Sequence, residues 1–564
     1  MKITKYFAFV SAAILLGGCD FLEFDESQGL NKHQAYATFE NIQMQSTAIY
    51  RKLPSDYGVI GSALRESATD NAMYTENSNA VYDMYTNKWS PINLIDNQWG
   101  GYYDIIHDVN LFLENYTEEL LDIYKWDKNY EDDMAKARMA LKEVKVLRAL
   151  YHFELAKRYG DIPLVLKTYA MDEINHVEKS AFQEVIDYID EECATQASEL
   201  PISFNDFVGK ETGRVTRGAA YAIRARALLY AASPLFNKDN NVELWKKAAD
   251  AAYEVIKLNA YQLETIDKDP LWNQSGNDVL PSKQLVFETR GGTNNTFERN
   301  NLPVGGFGEV SLGRNVPTQN LVDEYEMADG TPFDWNNPGH VANMYYDAQG
   351  KPTRDPRLYQ NVLCNGRTFM KIKLETYEGG KNGTPLDGAT TTGYYLKKLV
   401  DETISLDPVK PVTKPHHFPG YRYAEVLLNY AEAMNEWQGP DYTDATHPLS
   451  ARDALNQVRT AANMKAVVAA NQTEFRAKVR KERRIELAFE DHRFWDIRRW
   501  KEGELVKEIY GVKIQNNNGT LSYKKEKVQD RVWDDKMYLY PIPQKEIYVN
   551  GNLTQNPGWT EGGN

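Results

Sequence analysis

Cysteine is scarce in this chain: Cys19, Cys193 and Cys364 are the three in 564 residues. Cys19 falls in an N-terminal signal, which leaves two thiols, too few for a disulfide framework. Neither has metal-ligand spacing around it, so both are expected as free, buried side chains. Positive charge is short as well, with 65 Lys and Arg against 80 Asp and Glu and a net charge of −15. Removing residues 1–18, which hold Lys2 and Lys5 and no acid, takes that charge to −17. Such a balance speaks against nucleic acid, whose affinity rests on neutralised phosphates, and against direct docking on anionic lipid.

Sequence signatures of catalysis are missing too. There is no GxSxG elbow, no HExxH and no paired CxxC. Gly209-Lys210-Glu211-Thr212-Gly213 lacks the spacing to a GK[ST] that a phosphate loop needs, and Gly305-Gly306-Phe307-Gly308 lacks the strand and helix of a dinucleotide fingerprint. His416 and His417 are adjacent, and neighbours on an extended chain point to opposite sides. With 80 acidic residues, chance carboxylate pairs are everywhere, so a hydrolase dyad cannot be inferred. The chain is expected not to be an enzyme, with no catalytic residue and no cofactor. Acidic, Asn-rich loops leave calcium open, although no calcium-loop spacing is present.

What is present begins with the first nineteen residues. Lys2 and Lys5 precede an apolar run, Tyr6–Leu16, that is too short to span a bilayer and has the length of a signal-peptide core. It ends in Leu16-Gly17-Gly18-Cys19, which resembles a bacterial lipobox. Residues 1–18 are therefore expected as a lipoprotein signal peptide and Cys19 as the acylated N-terminus, held stably by several acyl chains.

The composition, 42% hydrophobic and 26% charged, is that of a globular chain with ample core. Repeated small–large–small faces (Ala149, Phe153, Ala156; Ala249, Tyr253, Ile256; Ala454, Val458, Ala461) accompany Ala-rich partners at Arg217–Ala232 and Tyr423–Trp437. Helix pairs with such faces are packed as in tetratricopeptide repeats, because small residues let backbones approach. Further helices are expected over 31–51, 97–125 and 133–158. The pattern predicts a mainly α fold: a scaffold of tetratricopeptide-type helix pairs, interrupted by an irregular loop-rich region with short strands. The expected parts are an N-terminal helical part at 19–264, a loop-rich insertion at 265–415, and a C-terminal helical part with its closing segment at 416–564. The first and last of these form one compact body. In the insertion, Leu285–Thr289 and Thr368–Leu374 read as brief strands among Gly, Asn and Pro clusters.

The segment Val479–Trp500, VRKERRIELAFEDHRFWDIRRW, has no Gly or Pro and is long enough for about six helical turns. Its arginines and acids sit three and four apart, and Phe489, Phe494, Trp495 and Trp500 interleave with them. This predicts a hub helix with stacked, partly buried guanidinium groups. The same segment, with Arg148–Leu166, Thr216–Leu235, Pro317–Pro332, Arg422–Glu436 and Tyr538–Trp559 in the same order, resembles the SusD/RagB family of outer-membrane nutrient-binding lipoproteins. The resemblance spans nearly the whole chain after residue 19. It implies a surface lipoprotein of the outer membrane that binds a nutrient, foremost an oligosaccharide, and passes it to a SusC-like TonB-dependent transporter. A protein-interaction scaffold without a small ligand and a surface glycan-degrading enzyme are the rival classes.

Two stretches are expected to hold the ligand. Asp70, Asn71, Tyr74, Tyr82, Tyr85 and Trp89 lie between helices, and they combine rings that stack on sugar C–H faces with groups that bond hydroxyls. The resemblance implies that this inter-helix loop helps form a glycan platform. Asn294, Phe297, Phe307 and Arg314, within Arg290–Arg314, form the second stretch, on loops held by a rigid frame.

Overall fold

The computed structural model describes residues 34–205, 212–268, 271, 282–308 and 310–559. The expected signal peptide, Cys19 and residues 209–211 of the phosphate-loop-like run lie outside the described residues. The fold is mainly α. Its frame is built from α1 (Phe39–Ile49), α2 (Trp99–Asn115), α3 (Tyr130–Tyr159), α4 (Phe182–Glu199), α5 (Arg217–Ala232), α6 (Val242–Lys257), α7 (Tyr423–Gln438), α8 (Ala451–Ala461), α9 (Gln472–Glu486) and α10 (Arg493–Arg499). From α2 to α8 each helix packs on the next, so α7 closes directly on α6 although 165 residues of chain (258–422) lie between them.

Local chemistry starts these helices. Thr38, Thr216, Asn241, Ser450 and Asn471 each accept a backbone N–H at the first turn of α1, α5, α6, α8 and α9. Alanines then set the packing: Ala219, Ala220, Ala227, Ala249, Ala252, Ala431 and Ala454 are all fully buried at the helix contacts. The expected helix over 97–125 is shorter. It ends at Asn115, Tyr116 turns extended, and a 3-10 segment follows at Glu118–Tyr124.

Strands come in two-stranded sheets among the described residues. We label β1 (Ala72–Tyr74), β2 (Leu285–Asn294), β3 (Asn315–Pro317), β4 (Lys414–Arg422), β5 (Glu508–Asn517) and β6 (Thr520–Asp530). The pairs are β1–β3, β2–β4 and β5–β6, all antiparallel. The expected strand at 368–374 is a tight hairpin of Thr368–Phe369 on Ile372–Lys373. Cys193 and Cys364 are free and buried, as the sequence suggests.

The hub is not one helix. It breaks over residues 487–492, where Phe489 (φ 63°) and Asp491 (φ 59°) adopt left-handed backbone without help from glycine. The break turns the segment between two apolar cores. Leu487, Phe494, Trp495 and Ile497 join the core of the helical frame, whereas Ile485, Ala488 and Phe489 join the core of the loop-rich region. Most charged side chains here therefore pair with distant segments instead of with their own next turn. Arg499 meets both oxygens of Glu432 at 2.6 and 2.7 Å, and Arg422 meets Glu490 at 2.5 Å and Glu486 at 2.8 Å. Arg357 reaches Glu482 at 2.5 Å, and Arg65 bridges Asp96 and Asp491, each at 2.8 Å. Of the pairs expected within the segment, Asp496–Arg499 forms at 2.8 Å. The interleaved rings stack as expected: Arg498 lies 3.5 Å from the Phe494 centroid and Arg499 4.5 Å from that of Trp500.

Removing one partner from such a pair strands a charge in the interior, which costs about 3–5 kcal/mol. Arg499→Met is expected to lower unfolding free energy by that amount in urea titrations, and Arg499→Met with Glu432→Leu to recover most of it. A double variant as weak as the single one would contradict a pairwise role. Acid provides a second test. Burial alone would raise the carboxyls of Asp96, Glu154, Glu432 and Glu486, but facing Arg and Lys groups outweigh it and hold all four at about 2. Their unfolded values are about 4. These groups therefore contribute stability that is fully present above about pH 4 and is lost as pH falls toward 2. The melting temperature is expected to drop steeply across that window and less so in Glu432→Gln; a flat profile would contradict the assignment.

Candidate functional site

The ladder between β1 and β3 joins the two stretches singled out in the sequence. Ala72 pairs with Pro317, Met73 with Val316 and Tyr74 with Asn315. The pairing runs on past the strands, as Thr75 donates its N–H to Arg314 O at 2.9 Å. Arg314 then turns its guanidinium to Glu76 at 2.6 Å and lies 5.8 Å from the Tyr74 ring.

Burial separates the expected ligand residues into two groups. Asp70 is buried and accepts both Nε and Nη2 of Arg493 at 2.9 Å, with Arg484 also at 2.9 Å. Burial works to raise its carboxyl, yet the Arg484 and Arg493 charges hold it below the ordinary range. Asn71 donates to Glu66 and accepts from Arg484, both at 2.7 Å. Glu66 also receives the Phe489 N–H at 3.2 Å, and burial pushes its carboxyl up to about 7. Asp70 and Asn71 are thus pins between the 65–71 segment and the hub.

The rings that follow are also turned inward, so the expected platform over 70–89 is not an exposed surface in this structure. A 3-10 turn at Ala80–Tyr85 presses Val81, Tyr82, Met84 and Tyr85 against the body. Tyr82 donates its hydroxyl to Tyr74 O and meets Tyr85 edge-on at 5.6 Å. Tyr85 lies under the Arg531 guanidinium at 4.2 Å, and Trp89 packs between Tyr540 and Trp559. Each ring gains more from burial here than from facing water, and most of the hydroxyls find partners inside.

The second stretch does line open space. A cleft of about 640 Å³ is bounded by Val304, Gly305, Gly306, Ser311 and Arg314 on one side and by Leu386, Asp387 and Gly388 on the other. Its glycine wall is held rigid from behind. Asn382 donates to Val304 O at 2.7 Å and to Gly305 O at 2.9 Å. Gly305 (φ 80°) passes so close that a Cβ would sit 1.8 Å from Lys381 O. Phe307 is buried beneath this wall, 5.9 Å from Phe369. Asn294 and Phe297 lie elsewhere, on a smaller cavity of about 230 Å³ shared with Tyr57, Asn300 and His416. Here Phe297 meets Tyr57 edge-on at 5.1 Å. Asp70, Asn71, Tyr82, Tyr85 and Trp89 line neither space.

Leu386, Asp387 and Gly388 were not anticipated as site residues; nothing local marks them, and only the fold brings them to Arg314. Tyr57 and Asn300 were missed for the same reason. The histidine pair behaves as the alternation of a strand requires. His416 is buried and meets Glu298 at 2.9 Å and, although burial lowers its pKa, that carboxylate raises it overall; His417, half-buried, is lowered by its burial. Among the described residues no group of three or more His, Cys, Asp or Glu stands ready for a metal ion. No described helix is long and apolar enough to cross a membrane.

Comparison with known proteins places this geometry. A model of the SusD family matches residues 269–559, just over half of the chain, and a second model, described as starch-binding and associating with the outer membrane, matches residues 20–229. SusD-like protein P38 of Formosa agariphila is 22% identical over 96% of both chains. The crystal structure of a SusD-like protein from Bacteroides fragilis superposes with a TM-score of 0.76 at 26% identity, covering 94% of this chain and 99% of that one. A SusD-like carbohydrate binding protein from the same species gives 0.71 at 25%, covering 92% and 99%. On the family model's match across more than half its length, the chain belongs to the SusD family.

Proposed function

We propose that the protein binds an oligosaccharide in the glycine-walled cleft and hands it to a SusC-like TonB-dependent transporter, tethered to the outer membrane by lipid at Cys19. The observation that carries the binding reading is the cleft itself: a preformed space lined by a glycine wall, one cation and one carboxylate, in a member of the SusD family. The name of the Bacteroides fragilis relative, a carbohydrate binding protein, supports the ligand class. The second family model's description supports the membrane.

In this reading Arg314 and Asp387 bond sugar hydroxyls while Leu312 and Leu386 give apolar faces to C–H groups. Capture needs no change of bonds in the ligand. Tyr74 and Phe307 support the cleft from below, and Asn294 with Tyr57 offers a neighbouring contact. The buried pins Asp70 and Asn71 act only by fixing the loop.

Calorimetry with purified oligosaccharides tests the cleft. Arg314→Ala is expected to weaken binding at least tenfold, as loss of hydrogen bonds from a charged donor does. Leu386→Trp, on an exposed rim residue, is expected to abolish it, and Tyr82→Phe to leave it within twofold. Full affinity in both cleft variants would move the ligand elsewhere. Cys19→Ala is expected to shift the protein from the membrane fraction to the soluble one and to stop its co-purification with a barrel transporter from membranes; unchanged fractionation would remove the tether from the reading.

A further inference from the structure

The cation of the glycine-walled cleft is already engaged. Among the described residues that line the space, Arg314 and Asp387 carry charge, one of each sign. Arg314 also meets a carboxylate that stands outside the lining: its Nη1 lies 2.6 Å from Glu76 Oε2.

Glu76 is set in place by its neighbours. Thr75, just before it, donates its N–H to Arg314 O at 2.9 Å, and Thr75 Oγ1 donates to Gly313 O at 3.3 Å. The Glu76 carbonyl accepts the Asn79 N–H at 3.3 Å, which turns the chain back, and Ser78 Oγ donates to Glu76 Oε1, also at 3.3 Å. Ser78 thus steadies one carboxylate oxygen while the other faces the arginine. Arg314 is fixed from its own side, by its N–H on Asn300 O at 2.7 Å and by the Tyr74 ring 5.8 Å from its guanidinium. Ion pairs near the surface are weak chiefly because two long side chains must be ordered to form them. Here the β1–β3 ladder has brought both ends together beforehand.

This pairing decides what Arg314 can hold. Its Nε is buried, so the Nη hydrogens are what the cleft meets. A sugar hydroxyl needs one N–H and brings no charge, so it shares the guanidinium with Glu76. A carboxylate or sulfate binds a guanidinium best through a two-pronged fork, and Glu76 holds one prong. It would also add a further negative charge beside Glu76 and Asp387, where like charges repel. One cation stands against two carboxylates here, in a chain of net charge −15 whose wider field also disfavours anions.

We infer that the cleft selects uncharged sugars over uronic-acid and sulfated ones, and that Glu76 sets this selectivity by occupying the cleft's cation. The inference rests on the proposed reading of the cleft as a glycan site and narrows its ligand to neutral oligosaccharides. Selectivity of this kind comes from what the site makes unfavourable as much as from what it attracts.

The test uses the intact protein with two pairs of probes that differ at C6 alone, glucose with glucuronate and galactose with galacturonate. Saturation-transfer NMR titration measures their affinities, and crystal soaking places them. The neutral member of each pair is expected to bind at least tenfold tighter. Glu76→Gln keeps the size of the side chain and removes its charge. It is expected to move the acid-to-neutral affinity ratio at least tenfold toward the acid, with the sugar carboxylate found on Arg314. That gain is expected to shrink at high salt and to vanish when Arg314→Ala is added, whereas a merely structural role for Glu76 would shift both sugars alike. Wild-type protein that holds the acids as tightly as the neutral sugars, or a ratio unmoved by Glu76→Gln, would overturn the inference. Acids captured on Arg314 by the Glu76→Gln variant, with no neutral sugar in the cleft of either protein, would overturn the cleft as an oligosaccharide site and leave Glu76 as the group that shuts anions out. No sugar in the cleft of either protein would overturn both.

Discussion

Buried charge matched across sequence distance is the constraint on which this structure depends. The chain commits arginines 65, 357, 422, 483, 493 and 499 to its interior, each nine-tenths or more out of water. An unpaired guanidinium there would be prohibitive, so every one must find carboxylate or carbonyl partners. Those partners lie on other elements: Glu432 on α7 for Arg499, Asp70 before β1 for Arg493, Glu482 on α9 for Arg357. The requirement ties the frame, the loop-rich region and the 65–71 segment to a single register. A shift of one element would break several pairs at once, which favours one arrangement over nearby alternatives.

The site inherits its geometry from that register. Asp70 and Asn71 are locked to Arg484 and Arg493, so β1 leaves the hub in a fixed direction. The β1–β3 ladder then sets Arg314, and the Arg314 backbone is further held by its N–H to Asn300 O at 2.7 Å. Asn382 pins the glycine wall from the other side. The cleft is therefore preformed by hydrogen bonds, and binding a ligand in it demands little ordering.

Much of the frame was legible in the sequence because helix packing is written locally. The alternation of Ala249, Tyr253 and Ile256, or of Ala454, Val458 and Ala461, needs no knowledge of the partner to be read as a helix face. The hub break was not legible. It occurs without Gly or Pro, at Phe489 and Asp491, and is forced by two cores that lie on different sides of the segment. The residues expected to hold the ligand divide on the same principle. Tyr, Asp and Asn between helices are equally the residues of a wet binding surface and of a satisfied polar interior. Only the arrival of Arg484, Arg493 and Arg531 from hundreds of residues away decides in favour of the interior for Asp70, Asn71 and Tyr85. Leu386 and Asp387 failed to register for the opposite reason, since they carry no local signal and gain their place from the fold.

A cleft walled by backbone has a consequence for selectivity. Gly305, Gly306 and Gly388 line it with main chain, whose course holds as long as the pins behind it persist. In the proposed reading, discrimination between ligands falls to the few side chains at the rim, Arg314, Leu312, Leu386 and Asp387. In that reading, losing the charged donor of Arg314 alters affinity by about 1.5–3 kcal/mol, roughly tenfold or more, without disturbing the frame, because no rim residue belongs to the buried charge network.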